Sequence, residues 1–244
     1  MDAPIVEQNL VINSYESDLN ANIKAVSLQN LLQEVAYRGS EFCHCGPSEM
    51  NRRGIFWALN RIHFHIYDYP RWEDNVVLQT WSRGQVGPLW HRNFRMLRPD
   101  RKGEPMVLGT SAWTVVDLNE RSIFRGDLGF DSAFHHSEDT LPFCSKIIVP
   151  KGLEAIPSGS HQVQWSDLDT NGHANNCAYT QWVLDLLPFD YMKTHRVRDV
   201  QVNYHHEVHY GENVDFFISR TDNTWYITGK AGDLLCFVEK LEFD

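Results

Sequence analysis

The chain has 244 residues, which at roughly 150 residues per domain fits one large domain or two small ones and can bury a core without disulfides or a structural metal. Asp plus Glu (32) exceed Lys plus Arg (22), for a net charge of −10. That weighs against nucleic-acid binding, which calls for a basic face, while 42% hydrophobic and 22% charged residues exclude a disordered chain.

The N-terminus, Met1-Asp-Ala-Pro-Ile-Val, has neither the basic start nor the apolar run of a secretory signal, and it lacks the Arg and Ser of a transit peptide. The longest uncharged apolar stretch, Pro105 to Val116, is far shorter than the roughly 20 residues of a bilayer span. Five cysteines (Cys43, Cys45, Cys144, Cys177, Cys236) without a CxxC spacing read as reduced thiols in a cytosol-like compartment. A cytoplasmic protein that binds neither membrane nor nucleic acid is expected.

In chain order, Leu28, Leu31, Leu32, Val35 and Ala36 have the spacing of one apolar helical stripe. Arg61 to Tyr67 alternates, with Ile62, Phe64 and Ile66 opposite His63 and His65. Val76–Trp81 and Met106–Leu118 are further β-rich runs. Between them lies a basic run of Arg92, Arg95, Arg98, Arg101 and Lys102. Each of these alone reads as a solvated hairpin, and together they could dock an acidic partner. After a Pro- and Gly-punctuated join, a second helical stripe is formed by Tyr179, Trp182, Val183, Leu186 and Leu187. Strand patterns follow at Val200–Tyr204, Val214–Ile218, Trp225–Lys230 and Leu234–Phe243.

The chain therefore repeats itself. Ser17-Asp18-Leu19-Asn20-Ala21-Asn22 recurs as Ser166-Asp167-Leu168-Asp169-Thr170-Asn171 at an offset of 149. The helical stripes recur at 151, and Asp74-Asn75-Val76 recurs as Glu212-Asn213-Val214 at 138. Three echoes in one order make chance the weaker account. The expected fold is α+β, with each half an antiparallel sheet wrapped around one long central helix. The expected domains are 1–141 and 162–244, joined by a linker over 142–161.

The densest polar cluster runs from Trp165 to Asn176, just before the second helix. A helix N-terminus offers unpaired N–H groups and partial positive charge, which suits the oxyanion formed when an ester or thioester carbonyl is attacked. His173 can move a proton near neutral pH, Asn171 can position a water or carbonyl, and Asp169 can orient either. A plain helix cap at Asn175 or Asn176 serves these residue types equally well. The repeat decides between them: at offset 149 the first copy has Asn20, Asn22 and Lys24 where the second has Asp169, Asn171 and His173. His205-His206-Glu207-Val208-His209 resembles a metal site but fails the HExxH test at Tyr210. No metal is expected; on a strand His205, Glu207 and His209 would share a face, and Glu207 alone could turn toward His173. Cys177 reads as a small packed thiol.

The run Asp167-Leu-Asp-Thr-Asn-Gly-His-Ala-Asn-Asn-Cys-Ala-Tyr-Thr-Gln-Trp resembles the signature of the acyl-acyl carrier protein thioesterases of plant plastids and bacteria. Trp57-Ala-Leu-Asn-Arg-Ile-His, Tyr69-Pro-Arg-Trp-Glu-Asp-Asn-Val and Thr80-Trp resemble that family's first-half motifs. The resemblance implies a tandem double hot-dog fold, hydrolysis of a fatty acyl-carrier protein thioester without a cofactor, and catalysis by Asp169, Asn171, His173 and Glu207 in the second half. It also implies an acyl tunnel in a first half that has lost the chemistry, for which Leu32, Ala36 and Trp57 are candidates. Many plant members have a cysteine after the glutamate; here Val208 stands there, which favours direct attack by water over a covalent cysteine. The expected partner is acyl carrier protein, docked by the basic run or by Arg52 and Arg53, and a homodimer is possible. Acyl-CoA hydrolysis, a hot-dog dehydratase and a non-catalytic acyl-binding module are the competing readings.

Overall fold

The computed structural model describes residues 5–101, 103–129 and 141–244. It divides into two compact units, one ending at Ser145 and the other beginning at Lys146. The first contains β1 (Val6–Val11), α1 (Ala25–Phe42), α2 (Pro47–Arg52), β2 (Ile55–Ile66), β3 (Asn75–Val86), β4 (Leu89–Leu97) and β5 (Pro105–Asp117). Its strands are antiparallel in the order β1-β3-β4-β5-β2. The apolar stripe of α1 faces this sheet: Leu28, Leu32 and Val35 are fully buried, with Ala36 and Gly39 on the same side. Ile62, Phe64 and Ile66 of β2 are buried as their alternation predicts.

The second unit contains β6 (Ile156–Gln162), α3 (Asn176–Leu186), α4 (Phe189–Thr194), β7 (Val197–Tyr204), β8 (Asn213–Arg220), β9 (Thr224–Ala231) and β10 (Leu234–Phe243). Its antiparallel order is β6-β8-β9-β10-β7, which matches the first unit strand for strand. Helix α3 buries Tyr179, Trp182 and Val183. Aromatic edges lock it to the sheet, with Tyr179 to Phe237 at 5.1 Å and Trp182 to Phe216 at 6.4 Å between ring centroids. The Phe237 ring occupies the space a β-carbon at Gly229 would need. Each unit is thus a hot-dog fold, a sheet curled around one long helix.

Three stretches differ from the sequence reading. Residues 156–161, expected in the linker, belong to β6, an edge strand whose mostly exposed side chains leave no apolar alternation to detect. Arg92 and Arg95 of the basic run belong to β4, a central strand, whereas Arg98 and Arg101 lie in the turn between β4 and β5, as a hairpin reading expects. Residues 205–208 are loop beyond the end of β7, so His205, Glu207 and His209 do not form a strand face.

The repeat also has a different register. Ile23 N donates to Pro70 O and Ala174 N donates to Val208 O, each at 2.8 Å. Asn13 N bonds the Glu16 carboxylate and Gln164 N that of Asp167, each at 2.7 Å. Backbone partners therefore correspond at 151 residues up to the helix, and at 138 after it. The resemblance of Ser17-Asp18-Leu19 to Ser166-Asp167-Leu168 is two residues out of structural phase. The true counterparts of Asp169, Asn171, His173 and Glu207 are Asp18, Asn20, Asn22 and Tyr69.

Candidate active site

A loop rather than a regular element carries the first three candidates. Asp169 Oδ1 accepts from Asn171 N at 2.8 Å, and Gly172 N donates to Asp169 O at 3.1 Å. This turn needs a left-handed residue, which Gly172 supplies at φ 81°. The first unit builds the same turn, with Asn20 N to Asp18 Oδ1 at 2.8 Å and Ala21 at φ 61°. The aspartate carboxylate therefore has a local folding role in both units. Asn175 caps α3 by accepting from Cys177 N at 2.9 Å, so capping and chemistry use different residues and are not alternatives.

What the second unit adds is the histidine and the acid. His173 Nδ1 lies 3.7 Å from Asp169 Oδ2, and Nε2 lies 3.8 Å from Glu207 Oε1. The loop after β7 reaches His173 through a backbone bridge between His173 and His209. Glu207 is the more open member, its side chain 45% exposed against 18% for His173 and 17% for Asp169. Asn171 is exposed, and its amide donates to Asp169 Oδ2 at 3.3 Å. The structure thus brings Asp169, Asn171, His173 and Glu207 together. The imidazole stands between two carboxylates beside the N-terminus of α3, an arrangement that can accept a proton, hold it and return it.

A second set of residues anchors this loop. Asp167 Oδ2 lies 2.8 Å from His161 Nε2 and accepts from Gln164 N at 2.7 Å, while Oδ1 accepts from Trp182 Nε1 at 3.0 Å. His161 stacks on Trp182 at 4.5 Å, and Asn175 N returns to Asp167 O at 2.8 Å. Sequence reasoning placed Trp182 in the core and gave His161 no role. The available signal was an indole N–H on a buried helix face, which needs an acceptor.

Cys177 is buried, and burial pushes its thiol up to about 12, so it is a packed thiol and not a thiolate. Among the described residues no group of three His, Cys, Asp or Glu is arranged to hold a metal. Leu32 and Ala36 are buried on α1. Trp57 donates from Nε1 to Cys45 O at 2.8 Å and meets Trp90 edge-on at 5.9 Å.

The basic run is not an open positive patch. Arg92 turns inward to bond Thr80 Oγ1, and Arg95 bonds Gln79 and lies over Trp81. Arg98 is neutralised by Asp68 at 2.8 Å and Asp74 at 3.0 Å, and Arg101 faces Glu104 at 3.8 Å; Lys102 lies outside the described residues. Arg52 pairs with Glu49, and Arg53 bonds the carbonyls of Asp127 and Leu128. Arg98, Arg101 and Arg52 thus each lie beside a carboxylate, whereas Arg53 and Arg92 bond uncharged acceptors.

Two hot-dog units, of which the second alone has an acid–histidine–acid cluster at its helix start, define the class. The acyl-ACP thioesterase N-terminal domain model matches residues 5–126 and the C-terminal domain model residues 153–232. The chain belongs to the acyl-ACP thioesterase family. It is 27% identical to the chloroplastic oleoyl-acyl carrier protein thioesterase 1 of Arabidopsis thaliana over 92% of its own length and 66% of that relative's, so it spans just under two thirds of the curated relative. Its fold matches an acyl-ACP thioesterase from Bacteroides thetaiotaomicron with a TM-score of 0.86 at 23% identity, covering 98% of both chains. It also matches a 12:0-ACP thioesterase from Umbellularia californica with a TM-score of 0.79 at 20% identity, covering 98% of this chain and 97% of that one. No helix is long and apolar enough to cross a membrane among the described residues.

Proposed function

We propose that this protein hydrolyses the thioester of a fatty acyl group carried on acyl carrier protein, releasing the free fatty acid and the carrier's thiol. The observation that carries the reading is the convergence of Asp169 and Glu207 on opposite nitrogens of one histidine, in a unit whose structural twin has Asn22 and Tyr69 instead. Family membership supports the substrate class.

In this mechanism Glu207 and His173 take a proton from a water that Asn171 helps to hold. The water oxygen attacks the thioester carbonyl carbon, and N–H groups at the start of α3 favour the oxyanion. Collapse breaks the C–S bond, and the proton held by the His173–Glu207 pair goes to the departing sulfur. The Ala174 carbonyl at 3.4 Å from Nδ1 and the Asp169 carboxylate at 3.7 Å together orient the imidazole, and Asp169 does not exchange the proton itself. No protein nucleophile is needed, consistent with the protonated state of Cys177 and with Val208 after the glutamate. The first unit holds the acyl chain along the α1 face that carries Leu32 and Ala36, with Trp57 near its C-terminal end.

Fatty acid release from acyl-carrier protein, compared with the same acyl group on coenzyme A, tests the reading. Carrier-bound substrate should be preferred, and His173→Ala and Glu207→Gln should each lower kcat by about 10²–10⁴-fold. Release of an unsaturated or hydrated acyl thioester instead of free acid would replace hydrolysis with dehydratase chemistry. Binding without turnover would leave an acyl carrier.

A further inference from the structure

The first unit holds a cation that the mechanism above does not use. Arg92 stands on the face of β4 that packs against α1, level with Ser82 of β3 and Ser111 of β5. Gly39 makes room for it, since a β-carbon there would lie 2.5 Å from Arg92 Nη1. Gly39 follows Ala36 by one turn and Leu32 by two. The guanidinium therefore lies at the C-terminal end of the helix face proposed to hold the acyl chain. Trp90 precedes it by two residues on the same strand and meets Trp57 edge-on.

Its bonding is sparse for such a place. Nη1 donates to Thr80 Oγ1 at 3.2 Å, and that hydroxyl donates onward to Asn93 O at 2.9 Å. Among the described residues no carboxylate pairs with Arg92, and the groups it acts on electrostatically are the thiols of Cys43 and Cys45. Burial lowers its pKa, yet the residue keeps some accessible surface, and Nη1 alone has a protein acceptor among the described residues. A guanidinium has five N–H donors, and those without a protein acceptor depend on water that an alkyl chain would displace at a cost. If an alkyl compartment only had to be closed, an apolar side chain would do so without that cost.

We infer that Arg92 is a specificity-determining residue that recognises an acceptor oxygen, hydroxyl or carboxylate, at the far end of the acyl chain. Plain alkyl chains long enough to reach it are disfavoured because they strip water from the guanidinium and return no hydrogen bond. The inference rests on the acyl-thioesterase reading for the identity of the ligand.

The test uses acyl-pantetheines joined by an amide, which bind but are not thioester substrates. Plain, ω-hydroxy and ω-carboxy chains of equal length are titrated against the wild type, Arg92→Met and Gly39→Ala, with binding followed by calorimetry. The wild type should bind at least one oxygenated probe roughly tenfold or more tightly than the plain chain. Arg92→Met should abolish or invert that preference, and the comparison of the two oxygenated probes tells a neutral from an anionic acceptor. Gly39→Ala displaces the guanidinium while keeping its charge, and should also lose the preference; it carries the test if Arg92→Met does not fold. Equal affinity for all three probes in the wild type overturns the inference, as does a preference that survives in folded Arg92→Met. Because these probes report binding alone, failure of thioester hydrolysis would sink the proposed function without altering this result.

Discussion

Glu239 should make the second unit lose stability as pH rises, and its replacement by glutamine should remove the effect. Glu239 lies on the inner face of β10, fully buried, and neither carboxylate oxygen has a hydrogen bond of ordinary geometry. Burial raises its pKa from 4.5 to about 8, and the nearby Thr180 hydroxyl offsets only part of that rise. The folded state therefore holds a proton that the unfolded state gives up. The associated stability is complete below pH 4.5, declines as pH rises toward about 8, and is level above that. The loss amounts to about 5 kcal/mol across the window and about 3 kcal/mol at pH 7, a change of order 10 °C in melting temperature for a domain of this size. Other shifted groups do not mimic it. Asp167 and Asp244 are lowered and act at acid pH, while Cys45 and Cys177 are pushed up to about 11 and about 12. His91, lowered by burial, is common to both proteins and cancels in the comparison. Denaturant melts of wild type and Glu239→Gln from pH 5 to 9 should diverge steadily up to about pH 8. Parallel curves would show that Glu239 is ionised or hydrated in the folded protein, and would refute the reasoning.

Three further outcomes follow from the site. Cys177→Ala should keep near-normal turnover, and thiol alkylation of the folded protein should leave activity intact; abolition of kcat in a folded variant would restore a nucleophilic cysteine. Asp18→Ala and Asp169→Ala remove the same backbone-bonded turn from the two units, so each should cost about 1 kcal/mol by denaturant melt, but Asp169→Ala alone should lower kcat. Trp182→Phe removes one hydrogen bond to Asp167 while keeping an aromatic ring over His161, and kcat should fall with KM nearly unchanged. A matched loss in both parameters would place Trp182 in substrate binding instead of loop positioning.

The elements legible in the sequence are those with one clean period. Leu28 to Ala36 and Ile62 to Ile66 each put apolar side chains on a single buried face, and both appear where their spacing puts them. Strand β6 was hidden because it is an edge with most of its side chains in water. Strand β4 was hidden because its inner face carries Arg92 among apolar residues, breaking the alternation at the position of greatest chemical interest. The four site residues were legible as a cluster of types. Their geometry was not, because His173 and Glu207 are far apart in the chain and meet through a bridge between two loops.

The two-residue error in the repeat register changes what the duplication says about the site. In the linear comparison Asp18 stands opposite Asp167, because both follow a serine and precede a leucine. In the fold Glu16 does the work of Asp167, each accepting from a backbone N–H three residues earlier, and Asp18 does the work of Asp169. The turn aspartate is therefore shared scaffolding, and an aspartate–asparagine pair stands at this turn in both units, so its presence alone is no sign of an active site. What separates the two units is His173 with Glu207, opposed in the first unit by Asn22 and Tyr69, which lack the imidazole–carboxylate pairing on which the proposed mechanism rests.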